Sequence, residues 1–381
     1  MAASLGARRP TLGLVEKLTQ LHWPLLVVIG LIGVAGYFLL YSAGGGSHEP
    51  WAWRHAVRLG VGAVIMLAVA LIDLRFWFKI AYPLFAVVLL MLVAVDLVGN
   101  LSKGAQRWLD LGFIQLQPSE LMKVSLVLVL ARYFHSAYLE EVRRPLYLLP
   151  PVLMVVLPVL LVLVQPDLGT ALMLTAVGGA MLFLAGVRLW KFGVVLAAVG
   201  AAGPILWSRM HDYQRQRVFT FLDPESDPLG SGYHIIQSKI AVGSGGLWGK
   251  GYLHGTQAQL SFLPEKHTDF AFTMLAEETG FAGAVLVLGL FLVAVLLGLS
   301  IALRARSQFG RLLAAGIVVN FSLYIVINVA MVTGLIPVVG VPLPMISYGG
   351  TAMLTVLLGF GLVLSADIHR DASLPRFPAD V

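Results

Sequence analysis

Apolar residues in this chain fall in long unbroken blocks, not in the narrow stripe of a helix that shows one face to water. A helix that crosses a bilayer needs roughly 20 apolar residues, because the hydrocarbon core is about 30 Å thick. The first block, residues 25–41, is uncharged and follows Arg8, Arg9 and Lys17. That basic flank resembles a secretion signal. The run is long, however, and no small-residue cleavage site precedes the next block, so it reads as an uncleaved anchor. Further blocks predict helices over about 55–72, 77–98, 119–134, 146–164, 168–187, 191–208 and 270–303. Residues 312–366 hold no charge and are too long for one crossing. Gly334, Pro337, Pro342, Pro344, Gly349 and Gly350 divide them into two helices around a re-entrant or surface loop.

The pattern predicts an all-α polytopic membrane protein with ten transmembrane helices, one integral domain over residues 1–381. One connection stands out, residues 209–268 between the seventh and eighth helices. Loops longer than about 15 residues without structure of their own are usually functional or disordered. This one contains Phe219, Phe221, Tyr233, Ile235, Ile236, Leu247 and Trp248, and is expected to fold as an extracytoplasmic lid.

Composition removes the soluble classes. Hydrophobic residues make up 58% of the chain and charged residues 12%, where a soluble domain carries about 25% charged. A soluble enzyme, a disordered chain and a secreted disulfide scaffold are all excluded. Cysteine is absent, which excludes disulfides, zinc–thiolate sites and iron–sulfur clusters. The net charge of +6 could suggest a nucleic-acid partner, but the basic residues lie where membrane topology puts them. With ten crossings both termini share a side, and the Lys/Arg bias makes that side cytoplasmic. A minority stays on the outer side: Arg54, Arg58, Arg107, Lys123, Arg209, Arg215, Arg217, Lys239 and Lys250. These can face an anionic ligand at the membrane surface, where Arg forks suit phosphate oxygens, or simply contact lipid headgroups.

Two motifs mislead. The run Gly243-Ser244-Gly245-Gly246-Leu247-Trp248-Gly249-Lys250 resembles a phosphate loop, but its leading position is Ser244 and Gly251 follows the lysine. The nine histidines form no His-x-x-x-His pair, so a zinc hydrolase is not expected. The informative groups are ionisable residues at or inside apolar blocks, each costing about 2.5–3.5 kcal/mol near a helix centre. Glu120 and Lys123 are three apart and can pair on one helix face, as a structural bridge or as part of a site. Asp167 precedes the sixth helix, as an N-cap or as a functional carboxylate. Asp269 stands at the mouth of the eighth helix, with Glu265 four residues earlier. It is either a helix cap or a partly desolvated general base.

Six segments, in order, resemble one family. They are Gly104-Ala105-Gln106-Arg107-Trp108, Gln117-Pro118-Ser119-Glu120-Leu121-Met122-Lys123, and Gln165-Pro166-Asp167-Leu168-Gly169-Thr170. The others are Tyr213-Gln214-Arg215-Gln216-Arg217-Val218, the stretch from Leu263 to Asp269, and Pro344-Met345-Ile346-Ser347-Tyr348-Gly349-Gly350. The chain is similar to SEDS proteins, the shape, elongation, division and sporulation proteins of bacterial wall synthesis. Gly255-Thr256-Gln257 and the run from Gly334 to Pro342 resemble the elongation type. Ala271, Thr273 and Thr351 depart from the usual wording, which bears on packing and not on the carboxylate.

The resemblance implies a peptidoglycan glycosyltransferase, multi-pass in the bacterial cytoplasmic (inner) membrane, that polymerises lipid II at the outer face. It places the catalytic aspartate at Asp269, with Glu120, Lys123, Asp167 and Glu265 supporting it in a central cavity. Arg54, Arg107, Arg217, Lys239 and Lys250 are candidates for the substrate pyrophosphate. No cofactor is required, although a divalent cation, Mg2+ or Mn2+, can assist such a leaving group. Implied partners are the undecaprenyl-pyrophosphate-linked glycan, a class B penicillin-binding protein, other proteins of the rod complex, and membrane lipid. A lipid II flippase is the rival reading. It would be expected to show inverted repeats or paired broken helices, and the sequence displays neither.

Overall fold

The computed structural model describes residues 13–98, 100–102, 105–110, 112, 115–210, 212–226, 231–259 and 265–375. Arg8, Arg9, Gly104, Leu263, Pro264 and the side chain of Arg217 lie outside them. Among the helices of the described residues are ten principal helices, those that match the apolar blocks: α1 (Trp23–Ala43), α2 (Ala52–Leu71), α3 (Leu74–Val98), α4 (Pro118–His135), α5 (Leu149–Val164), α6 (Leu168–Leu184), α7 (Leu189–Ala201), α8 (Ala271–Arg304), α9 (Gln308–Val332) and α10 (Gly350–Ile368). Among the described residues, seven helical stretches are long and apolar enough to cross a membrane: α1, α2, α3, Leu146–Val164, α8, α9 and α10. The helices α6 and α7 are apolar but shorter. The chain is a multi-pass membrane protein.

The core sits around α4, which packs against α3, α6 and α9, and around α10, which lies along α2. Every residue of α4 from Met122 to Ala131 is buried. That enclosure explains how a helix carrying Glu120 and Lys123 can stand among apolar neighbours: protein, not lipid, surrounds the charges. Peripheral helices expose apolar side chains instead, such as Val64, Leu90, Leu196 and Leu286. Helix α7 buries nothing at all. Such faces suit hydrocarbon and not water.

The structure departs from the sequence expectation in three places. The connection between α3 and α4 is a small antiparallel sheet of β1 (Asn100–Ser102), β2 (Ala105–Asp110) and β3 (Gln115–Leu116), so the chain is not strictly all-α. Short hairpins there give the backbone groups of the connection partners of their own. The predicted helix over 191–208 is divided: α7 ends at Ala201 and a second helix, Gly203–Arg209, starts with Pro204 in its first turn. The predicted helix over 270–303 is broken at Gly280, whose φ of 66° and ψ of −166° no helix can contain.

The phosphate-loop lookalike fills that break. Lys250 N donates to Glu277 O at 3.0 Å and Gly251 N to Glu278 O at 3.0 Å. On the other side Phe281 N donates to Gly246 O at 2.9 Å and Ala282 N to Leu247 O at 3.1 Å. Interrupting a helix strands backbone groups, and the loop supplies their partners. A Cβ on Gly245 would collide with Ala276 O, one on Gly249 with Glu278 O, and one on Gly280 with Gly249 N. Gly245, Gly249 and Gly280 therefore serve close backbone approach. Through this clasp and the helix Ser231–Ser244, which packs on α8, the long loop is fastened to the bundle. Its tip remains open, with Trp248 exposed.

Residues 333–349, expected as a re-entrant or surface loop, form an irregular segment between α9 and α10 that is partly buried in the protein (the re-entrant segment). Val341, Leu343, Met345 and Ile346 are buried, and Gly334 and Gly340 turn at φ of 75° and 73°. Met345 holds φ at 60°, and its carbonyl presses against α1 where a Cβ on Gly36 would sit. The clasp yields a direct expectation. Gly249→Val should destabilise the purified protein by at least about 3 kcal/mol, because it sits at positive φ and collides with backbone. Thermal denaturation in detergent measures this, and an unchanged midpoint would refute the clasp.

Candidate functional site

The titratable residues singled out in the sequence gather at the end of the bundle where α4, α6 and α8 begin. Asp167 caps α6: its Oδ1 accepts from Thr170 N at 3.1 Å and its Oδ2 from Thr170 Oγ1 at 3.0 Å. Arg107, projecting from β2, braces the turn before it. Its Nε donates to Gln165 O at 3.2 Å, one Nη to Pro166 O at 2.5 Å, and the other stands 3.8 Å from Asp167 Oδ2. Pro166 sits at φ of 23°, so the guanidinium holds a strained turn in place. Gly169, on the first turn of α6, lets Val339 O of the re-entrant segment approach closely.

Glu120 and Lys123 form the predicted pair, with Lys123 Nζ 2.6 Å from Glu120 Oε1. The other carboxylate oxygen accepts from Tyr324 OH, and Lys123 Nζ lies 4.3 Å from the centre of the Tyr324 ring. All three side chains are buried. The cluster is neutral as a unit, with hydrogen bonds on both carboxylate oxygens. A void of about 10 Å³ separates Tyr324 from Pro342, Leu343 and Pro344 of the re-entrant segment.

Asp269 lies in the turn from Glu265 to Phe270, immediately before α8. This turn is not helical, so Glu265 and Asp269 do not share a helix face as a helix starting at Pro264 would require. Glu265 O accepts from Thr268 N and Phe270 N, and Glu265 Oε2 accepts from Thr268 Oγ1 at 2.7 Å. The N-cap position of α8 falls on Phe270, one residue further on. Its backbone carbonyl accepts from Asn328 Nδ2 at 2.9 Å. A Cβ on Gly340 would lie 3.4 Å from Asp269 Oδ2, which puts the carboxylate against the re-entrant segment. That segment thus touches both the α6 turn and Asp269. Beside it, His267 stacks on Trp51 with ring centres 4.5 Å apart. Tyr348 N donates to His267 O at 2.7 Å, and the Arg58 guanidinium lies 4.5 Å over the Tyr348 ring. Burial lowers the Lys266 ammonium pKa from its ordinary value, while the Glu278 carboxylate opposes that shift.

The basic candidates divide. Arg54 is exposed on the first turn of α2, and Lys239 is exposed with its stem lying along Gly334. Arg107 is largely engaged by backbone carbonyls. Lys250 Nζ bonds buried Glu277 Oε1 at 2.7 Å and Thr256 Oγ1 at 2.7 Å, which ties the loop to α8. Sequence reasoning passed over Glu277 and Glu278, two acids inside an apolar block, although the cost of intramembrane charge should have flagged them. It also passed over Asn320, Tyr324 and Asn328, a polar stripe at four-residue spacing in an uncharged stretch.

The central pair gives a testable ledger. Lys123→Met should destabilise by about 3–5 kcal/mol, because it strands a buried carboxylate, and adding Glu120→Gln should recover most of that loss. Denaturation in detergent separates the cases. A double variant no more stable than Lys123→Met would refute the pairing argument.

Comparison with known proteins identifies the family. The family model described as "Cell cycle protein", covering FtsW, RodA and SpoVE, matches residues 16–372. The peptidoglycan glycosyltransferase MrdB of Escherichia coli is 47% identical over 350 residues, covering 91% of this chain and 93% of that protein. Stage V sporulation protein E of Bacillus subtilis is 35% identical over 352 residues, covering 90% of this chain and 95% of that protein. Among solved structures, a chain of a peptidoglycan synthase complex described as coordinating polymerization and crosslinking superposes with a TM-score of 0.79. It is 32% identical and covers 94% of this chain and 99% of its own. The rod shape determining protein RodA of Thermus thermophilus superposes with a TM-score of 0.69 at 29% identity, covering 92% of this chain and 97% of its own. The protein belongs to the FtsW/RodA/SpoVE family of cell cycle proteins.

Proposed function

We propose that this protein is an elongation-type peptidoglycan glycosyltransferase that polymerises lipid II at the outer face of the bacterial cytoplasmic membrane, with Asp269 as general base. Its relatives carry the name peptidoglycan glycosyltransferase. The observation that carries the residue assignment is the placement of Asp269: a carboxylate in the turn before α8, set against the re-entrant segment. In this reading all ten principal helices cross the bilayer, both termini are cytoplasmic, and the Asp269 end faces outward.

The reaction joins the 4-hydroxyl of an acceptor GlcNAc to the anomeric carbon of a donor MurNAc, displacing undecaprenyl pyrophosphate. The donor is α-linked and the product β-1,4, so configuration inverts in one displacement. Such a step needs a base on the attacking side and charge stabilisation on the leaving side, with no covalent intermediate. Asp269 takes the hydroxyl proton as the oxygen attacks. Of the basic candidates, Arg54 and Lys239 are exposed and suited to the pyrophosphate, with Arg217 on the neighbouring helix Asp212–Leu222. Arg107 and Lys250 support the site by holding the α6 turn and the loop. Glu120, Lys123, Asp167 and Glu265 fix the elements around it. Among the described residues no group of three or more His, Asp or Glu can hold a metal ion, so no step is routed through Mg2+ or Mn2+. A class B penicillin-binding protein is the partner this reading calls for, consistent with the match to a synthase complex that both polymerises and crosslinks.

Purified protein supplied with lipid II should form glycan polymer, and Asp269→Ala should abolish it, by at least about 100-fold, without lowering thermal stability. Polymer formed at the wild-type rate by the alanine variant sinks the general-base assignment. Transbilayer movement of labelled lipid II in liposomes by both proteins, without polymer, identifies a flippase instead.

A further inference from the structure

Asn328 is fully buried on α9, one helical turn beyond Tyr324. Its side-chain amide donates twice, to Asp269 O at 2.9 Å and to Val341 O at 2.7 Å. These carbonyls belong to two different irregular segments, the turn before α8 and the re-entrant segment. Val341 follows Gly340, the residue set against Asp269 Oδ2. One amide thus joins the backbone that carries the carboxylate to the backbone the carboxylate faces.

The same turn is gripped from its other side at His267, by the Trp51 ring and by Tyr348 N. That grip lies two positions before Asp269, whereas Asn328 bonds the Asp269 carbonyl itself. Helix α9 is regular and deeply buried here, so it is a rigid base from which to fix a non-helical turn. A displacement of about 1 Å at a reacting group can cost about 100-fold in rate, which makes such a bond consequential without any contact to substrate.

We propose that Asn328 is a positioning residue for glycosyl transfer: its amide bolts the Asp269 turn to the re-entrant segment and sets the aim of the Asp269 carboxylate. The proposal rests on the reading of Asp269 as general base. Asn328 acts through Asp269 backbone geometry, so its loss slows the chemical step while leaving substrate binding intact. A residue that merely stabilised the bundle would lower the amount of folded protein and would not separate kcat from KM.

The test is steady-state polymerisation of lipid II by the full-length protein in detergent, with kcat expressed per folded, monodisperse molecule. Asn328→Leu removes both donors at similar volume, and Asn328→Gln retains an amide. Asn320→Leu, a buried position two turns earlier on α9, controls for an apolar substitution in the same helix. Asp269→Ala reports on the base assignment itself. Asn328→Leu should lower kcat by about 10- to 100-fold with KM within about twofold, and Asn328→Gln should recover part of the loss. Asn320→Leu should keep kcat within about twofold of wild type. If Asn328→Leu yields no folded protein, Asn328→Asp, isosteric and without an amide donor, takes its place with the same expectation. The proposal is overturned if the donor-less variant keeps its kcat, if KM rises in place of a fall in kcat, or if Asn320→Leu loses as much. Full activity in Asp269→Ala would overturn the base assignment and this proposal together, whereas an inactive Asp269→Ala beside an active Asn328→Leu would overturn this proposal alone.

Discussion

A polar group enclosed by hydrocarbon has to find its partner within the chain, and this requirement shapes every irregular part of the molecule. Where α8 breaks at Gly280, the stranded backbone groups are met by backbone from the glycine-rich loop. Asn328 meets one carbonyl of the turn before α8 and one of the re-entrant segment. Where the turn before α6 strains at Pro166, the Arg107 guanidinium holds its carbonyls. At these three places the departure from helix is matched by specific donors.

The same requirement sorts the charges. Lys123, Glu120 and Tyr324 satisfy one another deep in the bundle, and Lys250 with Glu277 does so where the loop meets α8. Such pairs are weak sources of stability, since desolvation offsets most of their attraction, but removing one partner is costly. They fix which helices meet and at what height. Asp269 is set against the re-entrant segment instead, and Arg54 and Lys239 stay exposed.

Much of this was legible in the sequence because its periodicities are strong. Uncharged blocks gave helix positions, glycines and prolines gave the re-entrant segment, and the three-residue spacing of Glu120 and Lys123 gave their pair. The glycine-rich run was recognised as no phosphate loop, but its purpose was invisible: a backbone docking against Glu277 and Glu278 has no local signature in either segment. The break at Gly280 was missed because a glycine in an apolar helix is common, and only the incoming loop requires positive φ there. The strands between α3 and α4 were missed because they are too short to show alternation.

The sequence by itself determined that the chain is a membrane protein, where its helices run, and which ionisable residues stand in anomalous places. These follow from transfer energies that depend on a residue and its immediate neighbours. Only the tertiary structure decided what those residues do. It made Asp167 a cap, set the Asp269 carboxylate against the re-entrant segment, and turned Arg107 and Lys250 toward their own chain. It also revealed Asn328 as the bond between two distant segments. Hydrogen bonds act over about 3 Å between groups that may be many residues apart, so no local pattern encodes them.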